Sequence, residues 1–341
     1  MNWRSNLIFA GKMLIGLGLI AALLLIDNNW KKVLDIAADM RPVYLIPFFA
    51  ITLFLTGVSC IKWRLFLTER DVHIPLHKLM AMYFIGTFFN NFFPSSFGGD
   101  VVRSSLLGNN IGSQGRALAS VFLERFTGFI AMVSLAIFAF IFSPFLHDEK
   151  LIFWSIIIMS SGTAGVLIVL WKPVFIEWIL YPFRHLSLVE KLKEKAFQFH
   201  SHVVIFHDKP KILLQAMMYS FIFYGLAAIN VYLSGLLLDI HADLSQLFVI
   251  TPIVMLLAAL SITPNGLGVW EWGFSVFLVS AGVANEQGLA IALALRGKNI
   301  LVSMFGGVLF LLQTGSNDRK QITRQEDYAE DEIQERTLES S

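Results

Sequence analysis

Asn90-Asn91-Phe92-Phe93-Pro94-Ser95-Ser96-Phe97-Gly98-Gly99-Asp100-Val101-Val102-Arg103 is a polar break inside a long apolar stretch. A second break, Thr263-Pro264-Asn265-Gly266-Leu267-Gly268-Val269-Trp270-Glu271, interrupts another apolar stretch far along the chain. Each places Pro, Gly and a carboxylate where the neighbouring residues are fit for hydrocarbon. A bilayer tolerates broken backbone and charge only where protein or a water-lined cavity surrounds them. A matched pair of such breaks in two halves of a membrane chain is the pattern of a binding site near the midplane.

The rest of the chain agrees. It is 56% apolar and only 15% charged, with a net charge of +1, which gives no reason to expect a nucleic-acid partner. Soluble domains hold roughly 25% charged residues. Leu7–Ile26, Val43–Ile61, Ala117–Leu146, Leu151–Trp171, Ile212–Leu238 and Leu289–Leu312 are apolar runs near the roughly 20-residue length of a span. Leu7–Ile26 exceeds the apolar core of a secretory leader and Asp27-Asn28-Asn29-Trp30 offers no small-residue cleavage pattern, so it reads as the first span. The single cysteine, Cys60, excludes an internal disulfide and any multi-cysteine metal site and reads as a small apolar residue of the second span.

The expected fold is all-α and polytopic, with about six full spans and two re-entrant hairpins of half-length helices. Leu79–Phe93 and Val101–Leu107 form the first hairpin, and Leu244–Ile262 and Val269–Val283 the second. With the N-terminus in the cytoplasm and each hairpin returning to its side of entry, most basic segments share one side. These are Lys62/Arg64/Arg70/Lys78, Arg116, 172–211 and the Arg319/Lys320/Arg324 tail. The opposite loops, Asp27–Pro42, His147–Lys150, Asp239–Asp243 and Asn285–Gln287, hold few basic residues. The hairpins then enter from opposite sides, as inverted repeats over about 43–146 and 211–312 within a membrane domain of residues 1–316. Pro94 precedes Arg125 by 31 positions and Pro264 precedes Arg296 by 32. Residues 172–211 read as an amphipathic cytoplasmic connector facing anionic lipid headgroups, with a solvated linker as the alternative. Residues 317–341 read as a disordered tail.

In the breaks, Pro94 and Pro264 end the incoming half-helix, because proline has no N–H to continue it. Gly98, Gly99, Gly266 and Gly268 permit positive φ or close approach. Asn90, Asn91, Ser95, Ser96 and Asn265 can bond the freed backbone. The outgoing half-helices begin at depth, their N-termini favouring an anion such as a phosphate. The charges near the breaks are Asp100, Glu124 and Glu271 against Arg103, Arg125 and Arg296. Two readings stand side by side. In one the charges only neutralise each other, as Asp100 and Arg103 would one helical turn apart. In the other Arg125 and Arg296 hold an anionic headgroup while the acids balance charge, accept an amine or carry a coupling proton. Adjacent Glu124 and Arg125 lie about 100° apart on a helix, so both need not line one cavity. No catalytic triad, metal-ligand spacing or cofactor motif stands out, and Trp3, Trp30, Trp63, Trp171 and Trp178 read as interface anchors near span ends.

The pattern of Asn90-Asn91, Pro94-Ser95-Ser96, Gly98-Gly99-Asp100 and Arg103, then Glu124-Arg125, then Pro264, Gly266, Gly268 and Glu271, resembles the lysylphosphatidylglycerol synthase transmembrane, or flippase-like, family. The resemblance covers roughly residues 5–315. It implies a membrane region of the kind that, in the multiple peptide resistance factor, moves aminoacylated phosphatidylglycerol across the cytoplasmic membrane. The aminoacyl-transfer domain of that protein has no counterpart after Leu312, so the expectation is a bacterial inner-membrane translocase with both termini in the cytoplasm, not a synthase. Its cargo would be an anionic or aminoacylated phospholipid or a lipid-linked glycan. The alternatives are a membrane enzyme or accessory subunit in envelope glycolipid assembly, partnered by a glycosyltransferase or lipid-synthesis enzyme, and a carrier of soluble substrates.

Overall fold

A computed structural model describes residues 3–26, 29–92, 98–144, 147, 150–171 and 187–339. Twelve α-helices and no strand occur among them. They are α1 (Trp3–Leu25), α2 (Asn29–Ala38), α3 (Leu45–Thr68), α4 (Leu76–Phe92), α5 (Gly98–Ile111), α6 (Gln114–Phe142), α7 (Lys150–Trp171), α8 (Ser187–Val204), α9 (Pro210–Leu237), α10 (Leu244–Leu260), α11 (Val269–Phe277) and α12 (Asn285–Glu339). Five helical segments have the length and apolarity to cross a bilayer: Pro42–Thr68, Gln114–Phe142, Lys150–Leu170, Pro210–Leu237 and Asn285–Gln313. A sixth forms if α1 and α2 are taken as one bent span.

Among the described residues, ion pairs and hydrogen bonds link loops at two separate ends. At one end Lys209 pairs with Glu69, and Arg70 Nη2 donates to the His202 carbonyl at 2.7 Å. The His202 ring there rests on Gly115, where a methyl group would meet it at 3.0 Å. Burial, and then Arg70 and Arg116, push the His202 imidazole below its ordinary value. At the other end Arg41 pairs with Asp239 at 2.7 Å and Lys32 with Glu286 at 3.4 Å. The helix α3 runs from the Arg41 end to the Glu69 end, and α9 runs back from Lys209 to Leu237.

Contacts away from the breaks also join the two arms of each broken helix. Leu79 of α4 and Leu107 of α5 are fully buried in one cluster with Trp63, Leu67, Ala117 and Val121 beside the Glu69 end. Near the outer ends of the α10–α11 pair the Asp243 amide donates to the Ala281 carbonyl at 3.4 Å, and Ser275 Oγ donates to the Asn285 carbonyl at 2.8 Å. Packing is reciprocal: α4 lies against α12 while α10 lies against α6, and α3 lies against α9. Without a hydrophobic force between helices in lipid, close backbone approach supplies the attraction. Accordingly, a methyl group on Gly306 of α12 would fall inside the Phe84 carbonyl of α4.

Several boundaries differ from the sequence reading. The second span continues past Ile61 to Thr68, because Lys62 and Trp63 are buried partners within the bundle and not loop residues. Pro264 does not terminate the incoming arm: α10 stops at Leu260, and Pro264 opens a 3₁₀ turn four residues later. Another proline, Pro252, lies inside α10 without ending it. In the connector, α8 docks on α6 and α7. The Phe199 ring meets Phe122 edge-on, and His200 Nε2 lies 3.0 Å from the Leu170 carbonyl. The helix α12 continues to Glu339 through residues read as a disordered tail.

Candidate functional site

The residues Pro94, Ser95 and Ser96 at the tip of the first break lie outside the described residues. Its flanks are described. Asn90, in the last turn of α4, accepts the Gly99 amide on its side-chain oxygen at 2.7 Å and so caps α5. This satisfies one of the donors every helix N-terminus leaves open. Gly98 and Gly99 are helical and carry no positive φ. Gly99 is needed for proximity, because a methyl group there would collide with the Gly86 carbonyl of α4.

The second break is built differently. Asn265, Gly266 and Gly268 have φ of 50°, 66° and 85°, a region costly for residues with a Cβ. The Gly268 amide donates to Glu271 Oε2 at 2.7 Å, so the cap comes from the outgoing helix. Glu271 is fully buried and its Oε1 takes Arg296 Nε at 2.6 Å. Arg296 Nη1 donates to the Asn265 carbonyl at 3.1 Å. The helix α1 lies against this turn, with Gly16 and Leu19 close to Gly268. The two breaks meet where Asn265 Nδ2 donates to Asn91 Oδ1 at 2.6 Å.

Beside that contact lies a cavity of about 460 Å³, within the range of small-molecule sites. Asn90, Asp100, Glu124 and Arg125 line it from the first half, and Ser261, Asn265, Gly266 and Trp270 from the second. Asp100 Oδ1 is the hub of its ion pairs. It sits 3.0 Å from Arg103 Nε and accepts Arg125 Nε at 3.1 Å and Nη2 at 3.0 Å. Arg103 Nη2 donates to Glu124 Oε2 at 2.7 Å, and Lys62 Nζ lies 3.4 Å from Glu124 Oε1 and 3.2 Å from Ser220 Oγ. Arg103 is 1% exposed, with its guanidinium over the rings of Trp63 and Tyr83 at 5.0 and 4.8 Å. Such cation–π contacts offset part of the cost of burying it. Trp63 is itself fully buried and bonded to Ser120, so it packs beneath Arg103 and does not anchor the bilayer interface.

The structure brings Asn90, Asp100, Glu124 and Arg125 to the cavity, with Arg103 bonded behind them, and the simplest pairing read from the sequence was incomplete. Asp100 bonds Arg125 on the next helix as well as Arg103, and Glu124 and Arg125 both line the cavity despite their angular offset. Glu271 and Arg296 pair with each other and are absent from its lining. Lys62, Ser59, Tyr83, Ser220, Phe223 and Tyr224 were missed. One signal was available: the acid and its arginine are 25 residues apart in both halves, Asp100–Arg125 and Glu271–Arg296. Among the described residues, no group of three or more His, Cys, Asp or Glu side chains is placed to hold a metal.

Known proteins are similar to this chain in sequence. The chain is 26% identical over 330 residues to a UPF0104 membrane protein of Pyrococcus horikoshii, covering 88% of this chain and 95% of the relative. It is 23% identical over 307 residues to a UPF0104 membrane protein of Methanothermobacter thermautotrophicus, covering 83% and 89%. Residues 12–307, which include both breaks and every ion pair of the cavity, match the family described as Lysylphosphatidylglycerol synthase TM region, and the protein is a multi-pass membrane member of that family.

Proposed function

We propose that this protein is a lipid translocase of the cytoplasmic membrane. Its two halves, about residues 43–146 and 211–312, act as inverted repeats, each carrying a re-entrant hairpin. The connector and both termini face the cytoplasm, where the basic connector meets anionic headgroups. The reading rests above all on the Asn91–Asn265 contact: two broken helices starting from opposite ends touch beside a charged cavity. Reciprocal helix packing and the repeated 25-residue ion pair support the repeats.

Arg125 is the residue suited to meet a headgroup. Its side chain is 46% exposed, while Nε and Nη2 are held by Asp100, so the guanidinium is oriented yet accessible. Prior orientation lowers the entropic cost of binding. Lys62 and Arg103 are buried and engaged behind it. The carboxylates Asp100, Glu124 and Glu271 are each held by a cation, which leaves none in the free state a general base requires. That favours transport over group transfer. Acyl chains would stay in lipid while rocking of one repeat against the other exposes the cavity to alternate sides.

The test is reconstitution in vesicles carrying tail-labelled phospholipid, with leaflet distribution read by an impermeant quencher. The expected result is redistribution faster than in protein-free vesicles, reduced by Arg125→Gln. Unchanged distribution under several ion gradients contradicts the proposal, and a new lipid product would indicate an enzyme.

A further inference from the structure

We infer that the cavity selects a phosphodiester lipid whose headgroup carries one net negative charge. The inference rests on the translocase reading and goes beyond it by fixing the charge of the cargo. In the ion cluster beside the cavity, the lining cations Lys62 and Arg125 and the buried Arg103 behind them stand against the lining carboxylates Asp100 and Glu124, joined by contacts of 2.7 to 3.4 Å. Three positive groups against two negative ones leave one positive charge over. The undescribed tip, residues 93–97, contains no charged residue in its sequence and does not alter this balance. The second half adds nothing to it, because Glu271 and Arg296 neutralise each other.

Unbalanced charge away from bulk water is costly, and the cost is largest where the surroundings are apolar. Four of the five charged side chains are at most 13% exposed. Phe129, Phe223, Tyr224 and Trp270 supply much of the remaining wall. The surplus is therefore relieved by a bound monoanion. A zwitterionic headgroup leaves it in place, and a phosphomonoester near two negative charges overshoots it. The accessible end of the surplus is Arg125, whose Nη1 has no hydrogen bond among the described residues. Planar guanidinium donors suit phosphate oxygens.

The balance can be reset without dismantling the pairs. Asn90 lines the cavity and caps α5 through Oδ1. Asn90→Asp keeps that acceptor, places a negative charge where a helix N-terminus favours one, and cancels the surplus. Asp100→Asn does the opposite and raises it to two.

The experiment compares the initial translocation rates of three lipids with identical labelled acyl chains in vesicles of one composition. The probes are phosphatidylglycerol with one negative charge, phosphatidylethanolamine with none overall, and phosphatidic acid as the phosphomonoester. The unmodified protein is expected to move phosphatidylglycerol at least about tenfold faster than either of the others. Asn90→Asp is expected to remove that advantage, and Asp100→Asn to shift it toward phosphatidic acid. If Asp100→Asn is not recovered folded, the isosteric Asn90→Asp carries the test alone. Equal rates for all three lipids, or an unchanged preference in Asn90→Asp, overturn the charge selection while leaving the translocase reading intact. Movement of none of them overturns both. Excess inorganic phosphate is expected not to slow phosphatidylglycerol; inhibition comparable to that by competing lipid would make the site one for free phosphate and overturn the lipid assignment.

Discussion

At the first break the amide of Gly99 is satisfied by Asn90, a residue of the incoming arm. At the second the amide of Gly268 is satisfied by Glu271, a residue of the outgoing arm. The acids also differ. Asp100 serves two guanidiniums and borders the cavity, whereas Glu271 serves one and is sealed from it. The second turn is held by three consecutive constraints, namely left-handed φ at Asn265, Gly266 and Gly268, the Arg296 bond to the Asn265 carbonyl, and α1 against its back. The same 25-residue spacing thus yields an ion pair that lines the cavity in one half and one that is sealed from it in the other.

That contrast can be broken most forcefully at Glu271. Its replacement by Ala leaves Arg296 largely buried without a counter-charge and removes the acceptor of the Gly268 amide. Loss of one partner of a buried pair costs about 3–5 kcal/mol. Thermal unfolding in detergent, followed by tryptophan fluorescence, is expected to show that loss; near-native stability would mean that the second pair is not structural. Gly99→Ala comes next. The new methyl group would force α4 and α5 apart at Gly86, at a cost of about 1–3 kcal/mol for an overpacked contact. A neutral result in the same unfolding assay would show that the two arms are not in close apposition.

Arg125→Gln probes the other side of the contrast. The side chain is half-exposed, and exposed ion pairs contribute about 0–1 kcal/mol, so stability is expected to stay within that range. Translocation is expected to fall about tenfold, equivalent to about 1.4 kcal/mol. A variant equally impaired in folding would reduce the first pair to the role of the second. The smallest effect belongs to Asn265→Gly, which accepts the φ of 50° at that position without strain. It removes the hydrogen bond to Asn91, for which about 1 kcal/mol is the expected stability change, and it tests whether the contact between the breaks contributes to stability at all.

Much of this architecture was visible in the sequence. Proline and glycine inside apolar runs marked both breaks, because nothing else explains their presence at that depth. The distribution of lysine and arginine sorted the loops into two groups, and the Arg41–Asp239 and Glu69–Lys209 pairs each join residues of one group. What escaped depended on three-dimensional closure. Lys62 and Trp63 follow an apolar run and precede Arg64, so hydropathy alone ends the span at Ile61. The helix continues because Glu124 and Ser220 receive the lysine and Ser120 receives the indole. None of these partners is local in sequence. Likewise the Asp100–Arg103 pair is legible from helical spacing, but the bond from Asp100 to Arg125 requires α5 to fold back against α6. Pro264 misled for a simpler reason: a proline near a helix end was read as its cause, whereas the backbone leaves α10 at Ser261 and Pro264 only begins the turn that follows.

The central claim, that the two breaks confront one another beside the cavity, is open to direct chemical test. Asn91→Cys and Asn265→Cys would be combined with Cys60→Ser, which removes the one native thiol. The chain would be treated with a short thiol-reactive cross-linker in native membranes and then cleaved by protease in the 172–211 connector. The account predicts that the two fragments remain covalently joined, and that either single-cysteine variant releases them. Complete separation of the fragments in the double variant, with both thiols shown to be reactive, would contradict it.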